Sequence, residues 1–103
     1  MRSEVTTQTI TRKNSLFQNF PNPFNFETTI RYQLVENCNV VLSIYNLEGK
    51  EVIRLFTKNQ QTGEHQIVWN GKDKNGKEVS SGIYFDILKS GNFTETKKMT
   101  LIR

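Results

Sequence analysis

Few residues of this 103-residue chain could take part in catalysis or hold a metal ion. His65 is the only histidine, and a catalytic or metal site needs it to converge with a nucleophile, a carboxylate or further ligands. His65 alternates in phase with Ile67 and Trp69, which favours a side chain packed or hydrogen-bonded within a strand. The histidine therefore predicts neither a catalytic residue nor a metal site.

The acidic residues indicate no acid–base pair. Residues Asp73–Gly76 are similar to the start of a calcium loop, but the third oxygen ligand and the later Glu are missing at the required spacing. A tight turn explains the same residues, so weak calcium binding at this turn stays open. The remaining glutamates are predicted to be solvated groups in turns, at strand ends or on polar faces: Glu27, Glu36, Glu48, Glu51, Glu64, Glu78 and Glu95. We expect no enzymatic activity and no cofactor.

Composition excludes several other classes. The net charge of +4 comes from 14 basic and 10 acidic residues that are scattered along the chain, whereas a nucleic-acid binder concentrates its cations on one face. No stretch approaches the roughly 20 apolar residues of a membrane-spanning helix. Cys38 is the only cysteine, which rules out an intramolecular disulfide and leaves its role open. The length suits one domain.

Apolar residues alternate in short runs that predict β-strands and no helix. Trp69 and Tyr32 are in phase with such runs and are predicted to fill the core. Residues 83–88 are apolar on both sides except at Asp86, which predicts a central strand covered on both faces. The runs comprise residues 29–34, 40–45, 52–56, 65–69, 83–88 and 93–102.

Turn residues separate these runs. Gly49 is expected to take the left-handed conformation in a hairpin loop, Asn75-Gly76 is a strong turn pair, and residues 90–92 separate the last two strands. Turn signals at this spacing predict an all-β, immunoglobulin-like antiparallel β-sandwich of about seven strands over residues 16–103. The polar, Thr-rich residues 1–15 are predicted to be a flexible linker.

Two segments are more distinctive than the rest. Residues 18–25, the lead-in, contain both prolines of the chain, which fix φ and restrict the preceding residues, so a stiff entry to the first strand is expected. Residues 97–103, the closing segment, place basic residues around an apolar strand end. On the residues alone, a final strand with its charges in solvent remains an equal interpretation.

These two segments and several between them follow the order of a known family. The chain resembles, over about residues 16–103, the type A C-terminal sorting domain of the type IX secretion system. It is also similar in pattern to the immunoglobulin-like domain of the flagellar hook-capping protein. The matching segments are Leu16–Asn25, Thr28–Tyr32, Ile44–Val52, Gly63–Gly71, Asp73, Gly76, Val79, Ser81–Tyr84 and Lys97–Arg103.

The resemblance implies a secretion signal on a longer exported protein. Such a domain is carried through the periplasm, is recognised by the outer-membrane translocon, and is usually removed by a sortase-like cysteine peptidase. The cargo, covalently linked on the N-terminal side, is then released or anchored at the cell surface. Cleavage is expected within or just before residues 1–15, and the domain is expected to be monomeric and to bind no nucleic acid.

The resemblance also assigns residues. Translocon recognition is placed at Lys97, Lys98, Met99, Leu101, Ile102 and Arg103, and the lead-in and loop motifs at Pro21, Asn22, Pro23, Phe24, Asn25 and Gly49. Phe20 and Phe26 depart from the family's usual residues and keep an apolar character. We hypothesise that the last strand docks as a sheet edge, with Lys97, Lys98 and Arg103 supplying steering charge.

Two alternatives remain open for an accessory module of a secreted hydrolase: a passive immunoglobulin-like spacer or oligomerisation module with no receptor, and a carbohydrate-binding module. A carbohydrate-binding module needs exposed coplanar aromatic residues. The aromatic residues that would have to be exposed are Tyr32, Tyr45, Trp69 and Tyr84.

Overall fold

A computed structural model describes residues 13–103, and this part of the chain contains seven β-strands and no helix. The strands lie where apolar and polar residues alternate, and the turns fall at the Gly- and Asn-containing segments between them. In chain order they are β1 (Ser15–Leu16), β2 (Thr28–Leu34), β3 (Cys38–Tyr45), β4 (Glu51–Gln60), β5 (Gly63–Trp69), β6 (Gly82–Ser90) and β7 (Phe93–Leu101).

The strands form two antiparallel sheets. One sheet has the order β1-β2-β5 and the other the order β4-β3-β6-β7. Strands β2 and β5 pair over their full length. Thr28 faces Trp69 at one end, and Leu34 faces Gly63 at the other. This architecture confirms the prediction of an immunoglobulin-like antiparallel β-sandwich of about seven strands. No helix in residues 13–103 is long and apolar enough to span a membrane.

The core lies between the sheets and is filled by alternate residues of β2, β3 and β6 and by the ends of β5 and β7, while β4 contributes only partly buried side chains. Trp69 and Tyr32 are both buried in it, as predicted. The Trp69 ring meets the rings of Phe24 and Tyr84 edge to face, with centroids 5.8 and 5.5 Å apart, a geometry that aromatic pairs prefer. The other buried apolar residues are Leu16, Ile30, Leu34, Val40, Leu42, Ile44, Leu88, Met99 and Leu101.

The two-sheet arrangement contradicts one prediction about β6. This strand is central, as predicted, but its two faces have different surroundings. Asp86 lies on the inner face, in phase with the buried Tyr84, and is itself fully buried, whereas Phe85 and Ile87 face outward and are only half-buried. The prediction that β6 is covered on both faces is therefore wrong, because no third layer exists in the described part of the chain.

The described chain makes specific contacts before the first strand. The Asn14 side chain accepts a hydrogen bond from Val35 N at 2.8 Å and donates one to Ser90 Oγ at 3.4 Å. Strand β1 then begins at Ser15, within the segment predicted as a linker. Residues 1–12, which hold the rest of that prediction and the expected cleavage region, lie outside the described residues.

Candidate functional site

The lead-in and the closing segment, which lie near opposite ends of the described chain, are hydrogen-bonded to each other. Phe24 N donates to Thr100 O at 3.0 Å, and Ile102 N donates to Phe24 O at 2.8 Å. Phe24 thereby forms a parallel bridge with Leu101. The lead-in thus occupies backbone positions on the outer edge of β7, the edge that faces away from β6.

Two side chains of the lead-in extend this contact along the same edge. Asn22 Oδ1 accepts a hydrogen bond from Thr100 N at 2.9 Å, and Gln18 Nε2 donates to Lys98 O at 2.8 Å. Unpaired N–H and C=O groups on an edge strand would otherwise be open to pairing with another chain. From Lys98 to Ile102, the edge of β7 is therefore closed by the protein's own lead-in.

A buried polar contact gives the lead-in its shape. Asn19 Nδ2 donates to Thr28 Oγ1 at 2.9 Å and to Pro21 O at 3.2 Å, and Thr28 Oγ1 donates to Pro21 O at 2.7 Å. Asn19 and Thr28 are both buried, so these bonds satisfy polar groups that water does not reach. The peptide bonds before Pro21 and Pro23 are cis.

Arg103 attaches the closing segment to the loop between β5 and β6. Its Nε donates to Val79 O and its Nη2 to Gly71 O, both at 2.6 Å, and its backbone N donates to Ser81 Oγ at 2.8 Å. Glu78 lies 3.8 Å from the Nη1 atom. Charge-assisted bonds from one guanidinium to two carbonyls fix its position, so Arg103 connects residues 71 and 79 rather than extending into solvent.

Gly71 is needed for this contact. Its φ is +72°, a conformation that residues with a Cβ atom rarely adopt. A Cβ atom built on Gly71 would lie 2.8 Å from Arg103 Nη2. The resemblance included Gly71 among its matching segments, but sequence alone gave no indication that Gly71 contacts Arg103.

The three cations predicted to steer docking have different surroundings. Lys97 lies directly across from Asp86 in the β6–β7 pair, and its Nζ is 3.6 Å from Glu95 Oε2. Lys98 is exposed. Arg103 is held as described above. Among the three, Lys98 is the one whose charge is presented to solvent with no ion-pair partner among residues 13–103.

The other residues of the closing segment and those of the lead-in are also partly buried and partly exposed. Met99 and Leu101 are fully buried in the core, while Ile102 keeps 53% of its surface exposed. The lead-in residues Pro21, Asn22, Pro23 and Asn25 are exposed, and Phe24 is buried. The loop residue Gly49 has the predicted left-handed conformation, with φ of +85°, and lies in the β3–β4 connection at the same end of the sandwich.

Asp86 is the residue with the most perturbed electrostatics in this region. It is fully buried, and neither of its carboxylate oxygens has a hydrogen-bond partner in the described part of the chain. Burial raises the pKa of Asp86 from 3.8 to about 7, an effect that the positive charge of Lys97 partly opposes. The sequence signal was the single charge in an otherwise apolar run, and it was not recognised as a buried group.

Glu95 was predicted to be a solvated surface group, and the structure gives it a structural contact. Its side chain is only about one-third exposed, at 35%. Its Oε1 accepts a hydrogen bond from Leu16 N at 2.9 Å. Glu95 therefore links β7 to β1 across the two sheets, because its side chain lies on the inner side of an edge strand.

His65 and Asp73, which the sequence offered for catalysis or metal binding, form structural contacts. His65 stacks on Tyr32, with ring centroids 5.4 Å apart, and its Nε2 is 2.7 Å from Gln61 O. Asp73 Oδ1 accepts hydrogen bonds from the backbone N–H groups of Asn75 and Lys77 at 2.9 and 3.0 Å, the bonding of an Asx turn. Residues 13–103 contain no cluster of three His, Cys, Asp or Glu side chains placed to hold a metal ion.

Polar contacts also close the opposite end of the sandwich. Cys38 Sγ lies 2.8 Å from Ser90 Oγ, and the Tyr32 hydroxyl donates to Gln60 Oε1. Burial, with a smaller contribution from Cys38, raises the pKa of Tyr32 to about 12. Tyr32 is therefore neutral at physiological pH and acts as a hydrogen-bond donor.

The strand order and the packed lead-in define an immunoglobulin-like β-sandwich module. Residues 25–85 match the family model of the FlgD Ig-like domain, and the chain belongs to that family. No curated protein sequence matches the chain.

Three solved structures share the fold. Dimeric latent PorU from Porphyromonas gingivalis is 24% identical with a TM-score of 0.66, over 93% of this chain and 10% of PorU. PorZ of the same organism, described as an essential bacterial surface component of the type IX secretion system, is 20% identical with a TM-score of 0.56, over 84% of this chain and 11% of PorZ. FlgD from P. aeruginosa is 24% identical with a TM-score of 0.54, over 73% of this chain and 57% of FlgD. The chain thus spans about a tenth of PorU and of PorZ.

Proposed function

We propose that this chain is a C-terminal secretion signal domain that directs a covalently linked N-terminal cargo to the type IX translocon in the outer membrane. The domain passes through the periplasm with its cargo, which then reaches the cell surface or the medium. A sortase-like peptidase removes the domain within or just before residues 1–15. The domain acts as a monomeric recognition module and carries out no catalysis.

The observation that carries this proposal is the contact between the lead-in and the closing segment. These are the two segments whose residues most resemble the type A sorting domain, and Phe24 joins them at one end of the sandwich through its hydrogen bonds with Thr100 and Ile102. A recognition signal read on a folded domain needs such a fixed surface, because ordering a flexible segment on binding lowers affinity. The fold shared with PorU and PorZ is consistent with the proposal and adds support only at the level of fold.

Recognition of the folded domain must use exposed side chains. Met99 and Leu101 are inaccessible, and the backbone of β7 beyond Lys98 is occupied by the lead-in. Lys98 and Ile102 are the closing positions whose side chains a receptor can contact without unfolding the sandwich or breaking the contacts of Lys97 and Arg103. Of the three cations expected to steer docking, Lys97, Lys98 and Arg103, we therefore propose Lys98 as the main steering charge.

Export of a reporter tests the proposal. The full chain is fused to the C-terminus of a periplasmic reporter enzyme in a bacterium that has a type IX secretion system. We expect reporter activity in the medium or on the cell surface, and none there for the unfused reporter. The same reporter fused to the FlgD domain of P. aeruginosa controls for an effect of the fold alone. Retention of the chain's fusion in the periplasm would refute the proposal and favour a passive spacer.

Substitution is preferable to truncation for testing whether the closing segment is recognised. Deleting residues 98–103 removes Met99 and Leu101 from the core, so loss of export would not separate unfolding from lost recognition. Ile102→Asp changes an exposed side chain, and Leu47→Asp, at a residue that is also largely exposed, is its matched control. We expect Ile102→Asp alone to reduce export.

The carbohydrate-binding alternative is disfavoured by burial. Tyr32, Trp69 and Tyr84 are buried, and only Tyr45 of the four candidate aromatic residues is partly exposed. A single half-buried ring does not form the coplanar aromatic surface that this alternative requires.

A further inference from the structure

The outward-facing side of the four-stranded sheet carries an apolar patch that the core does not require. Ile83, Phe85 and Ile87 of β6 point outward and are half-buried. Tyr45 of β3 lies directly across from Phe85, and Val41 lies two residues before Ser43 on the same face. A sheet with one solvated face normally alternates apolar inside and polar outside, whereas β6 has Asp86 inside and these residues outside.

Cations surround this patch. Lys98 of β7 lies across from Phe85, and Lys89 lies across from Val41. Arg54 of β4 lies across from Ser43 and is paired with Glu51 at 3.4 Å. Neither Lys89 nor Lys98 forms an ion pair within residues 13–103. We call these residues together the basic apolar face.

The dimensions of the face match a protein partner better than a small ligand. Four strands at a spacing of about 4.8 Å, with a nine-residue central strand rising about 3.4 Å per residue, give a surface of roughly 15 by 30 Å. This area of roughly 450 Å² is a little more than half of one side of a standard interface, about 800 Å², and lies in the range of small, transient protein complexes. The depression that lies on this face between Ser43 and Ile87 encloses about 30 Å³, far below the roughly 300 Å³ of a typical ligand site.

We propose that the basic apolar face is a docking surface for a protein with an apolar centre and an acidic rim. This rests on the proposed function, in which that protein is the receptor that recognises the folded domain before export. Charge complementarity selects the partner: the free lysines beside Phe85 and Val41 attract carboxylates, and the half-buried apolar residues supply the contact that excludes water.

The charges also argue against two other occupants. In a two-fold pair of identical chains the same patch faces itself, which brings the lysines of one copy towards those of the other. An anionic membrane is attracted by clusters of about four to eight basic residues, and this face offers two unpaired ones. Half-buried side chains in a flat sheet also have little reach into a bilayer.

The export assay with the full chain tests the basic apolar face. The substitutions are made at residues outside the closing segment. The test variants are Lys89→Glu and Phe85→Thr; Thr keeps a β-branched residue in the strand. Lys77→Glu in the loop before β6 and Val68→Thr on the other sheet, both exposed, are the controls. We expect each test variant to lower the exported reporter at least about tenfold and each control to leave it unchanged, with equal denaturation midpoints showing that all four fold.

The outcomes separate the two proposals. Export of the unsubstituted chain together with undiminished export of Lys89→Glu and Phe85→Thr refutes the docking surface and leaves the secretion function standing. No export of the unsubstituted chain refutes both. If Phe85→Thr lowers the denaturation midpoint, Ile87→Thr and Lys89→Glu decide in its place. Two other outcomes overturn the assignment to an acidic protein. One is a dimer in sedimentation that Lys89→Glu changes, and the other is lysine-dependent binding to vesicles containing an anionic phospholipid.

Discussion

Asp86→Asn is expected to stabilise this protein at alkaline pH and not at acidic pH. The carboxylate is fully buried between the sheets and has no hydrogen-bond partner in residues 13–103. Burial favours its protonated form and raises its pKa from 3.8 to about 7, although Lys97 opposes this effect. Because the unfolded chain keeps the ordinary pKa, ionisation of Asp86 is coupled to unfolding.

The sign and the size follow from that difference in pKa. Below about pH 4 Asp86 is protonated in both states, and its stability contribution is fully present. As the pH rises towards 7 the unfolded state releases the proton more readily, so the native state loses stability until Asp86 is ionised in both. A difference of about three pKa units corresponds to a loss of about 4 kcal/mol, at about 1.36 kcal/mol per unit.

Asp86→Asn removes the charge and keeps the shape, so its advantage over the original chain should appear between pH 4 and pH 8. A buried amide has its own cost of about 1–3 kcal/mol, but this cost is the same at every pH. The quantity to compare is therefore the change between pH 4 and pH 8 in the difference in unfolding free energy between the two proteins. We expect this change to approach 4 kcal/mol in favour of Asp86→Asn.

Urea unfolding followed by Trp69 fluorescence measures this difference at intervals from pH 4 to pH 8. Trp69 is the only tryptophan and is buried, so its emission reports loss of the core. Glu48→Gln, at an exposed loop carboxylate, is the control for the removal of one negative charge. An Asp86→Asn difference that stays constant from pH 4 to pH 8 would show that Asp86 has an ordinary pKa in the folded state.

Three further substitutions test the contacts of the lead-in and closing segment. Gly71→Ala should destabilise the protein by about 1–3 kcal/mol through backbone strain and contact with Arg103. Gly76→Ala, where φ is +81° but no atom is near, should cost less. Thermal melting compares the two variants, and equal losses would contradict the role of the contact. Asn19→Ala should lose about 1–3 kcal/mol in urea unfolding because its buried hydrogen bonds disappear, and the exposed Asn25→Ala should change stability by less than about 0.5 kcal/mol. Arg103→Lys should speed amide exchange in residues 71–81, since an ammonium does not reproduce the guanidinium contacts; unchanged exchange would refute that link.

The strands were predictable from the sequence because their information is local. Alternation at Ile30 and Tyr32, or at Val40 and Leu42, is read from neighbouring residues, and the turn residue Gly49 has the expected conformation. The two-residue strand β1 was not predicted, since Ser15 and Leu16 are too short a run to show a period. Its contact through Glu95 also depends on a residue 79 positions away.

The arrangement of the candidate site required the structure for the same reason. Composition identified the lead-in and the closing segment as distinctive, but nothing in either segment states that Phe24 pairs with Thr100 and Ile102. The phase of β6 was ambiguous because both of its faces are largely apolar. The burial of Tyr84, Asp86 and Leu88 in the structure identifies the inner face of β6.

The closed edge of β7 bears on how a receptor can read the closing segment. Strand addition at this edge would displace the lead-in, which loses four hydrogen bonds worth about 1 kcal/mol each. It would also expose the buried Phe24 ring, at a cost of about 2–3 kcal/mol. The total of about 6–7 kcal/mol, which the bonds of the incoming strand must first replace, is comparable with the entire stability of a small domain, about 5–15 kcal/mol. A receptor that contacts Lys98, Ile102 or the basic apolar face avoids this cost, so recognition through exposed side chains is favoured over pairing with the strand.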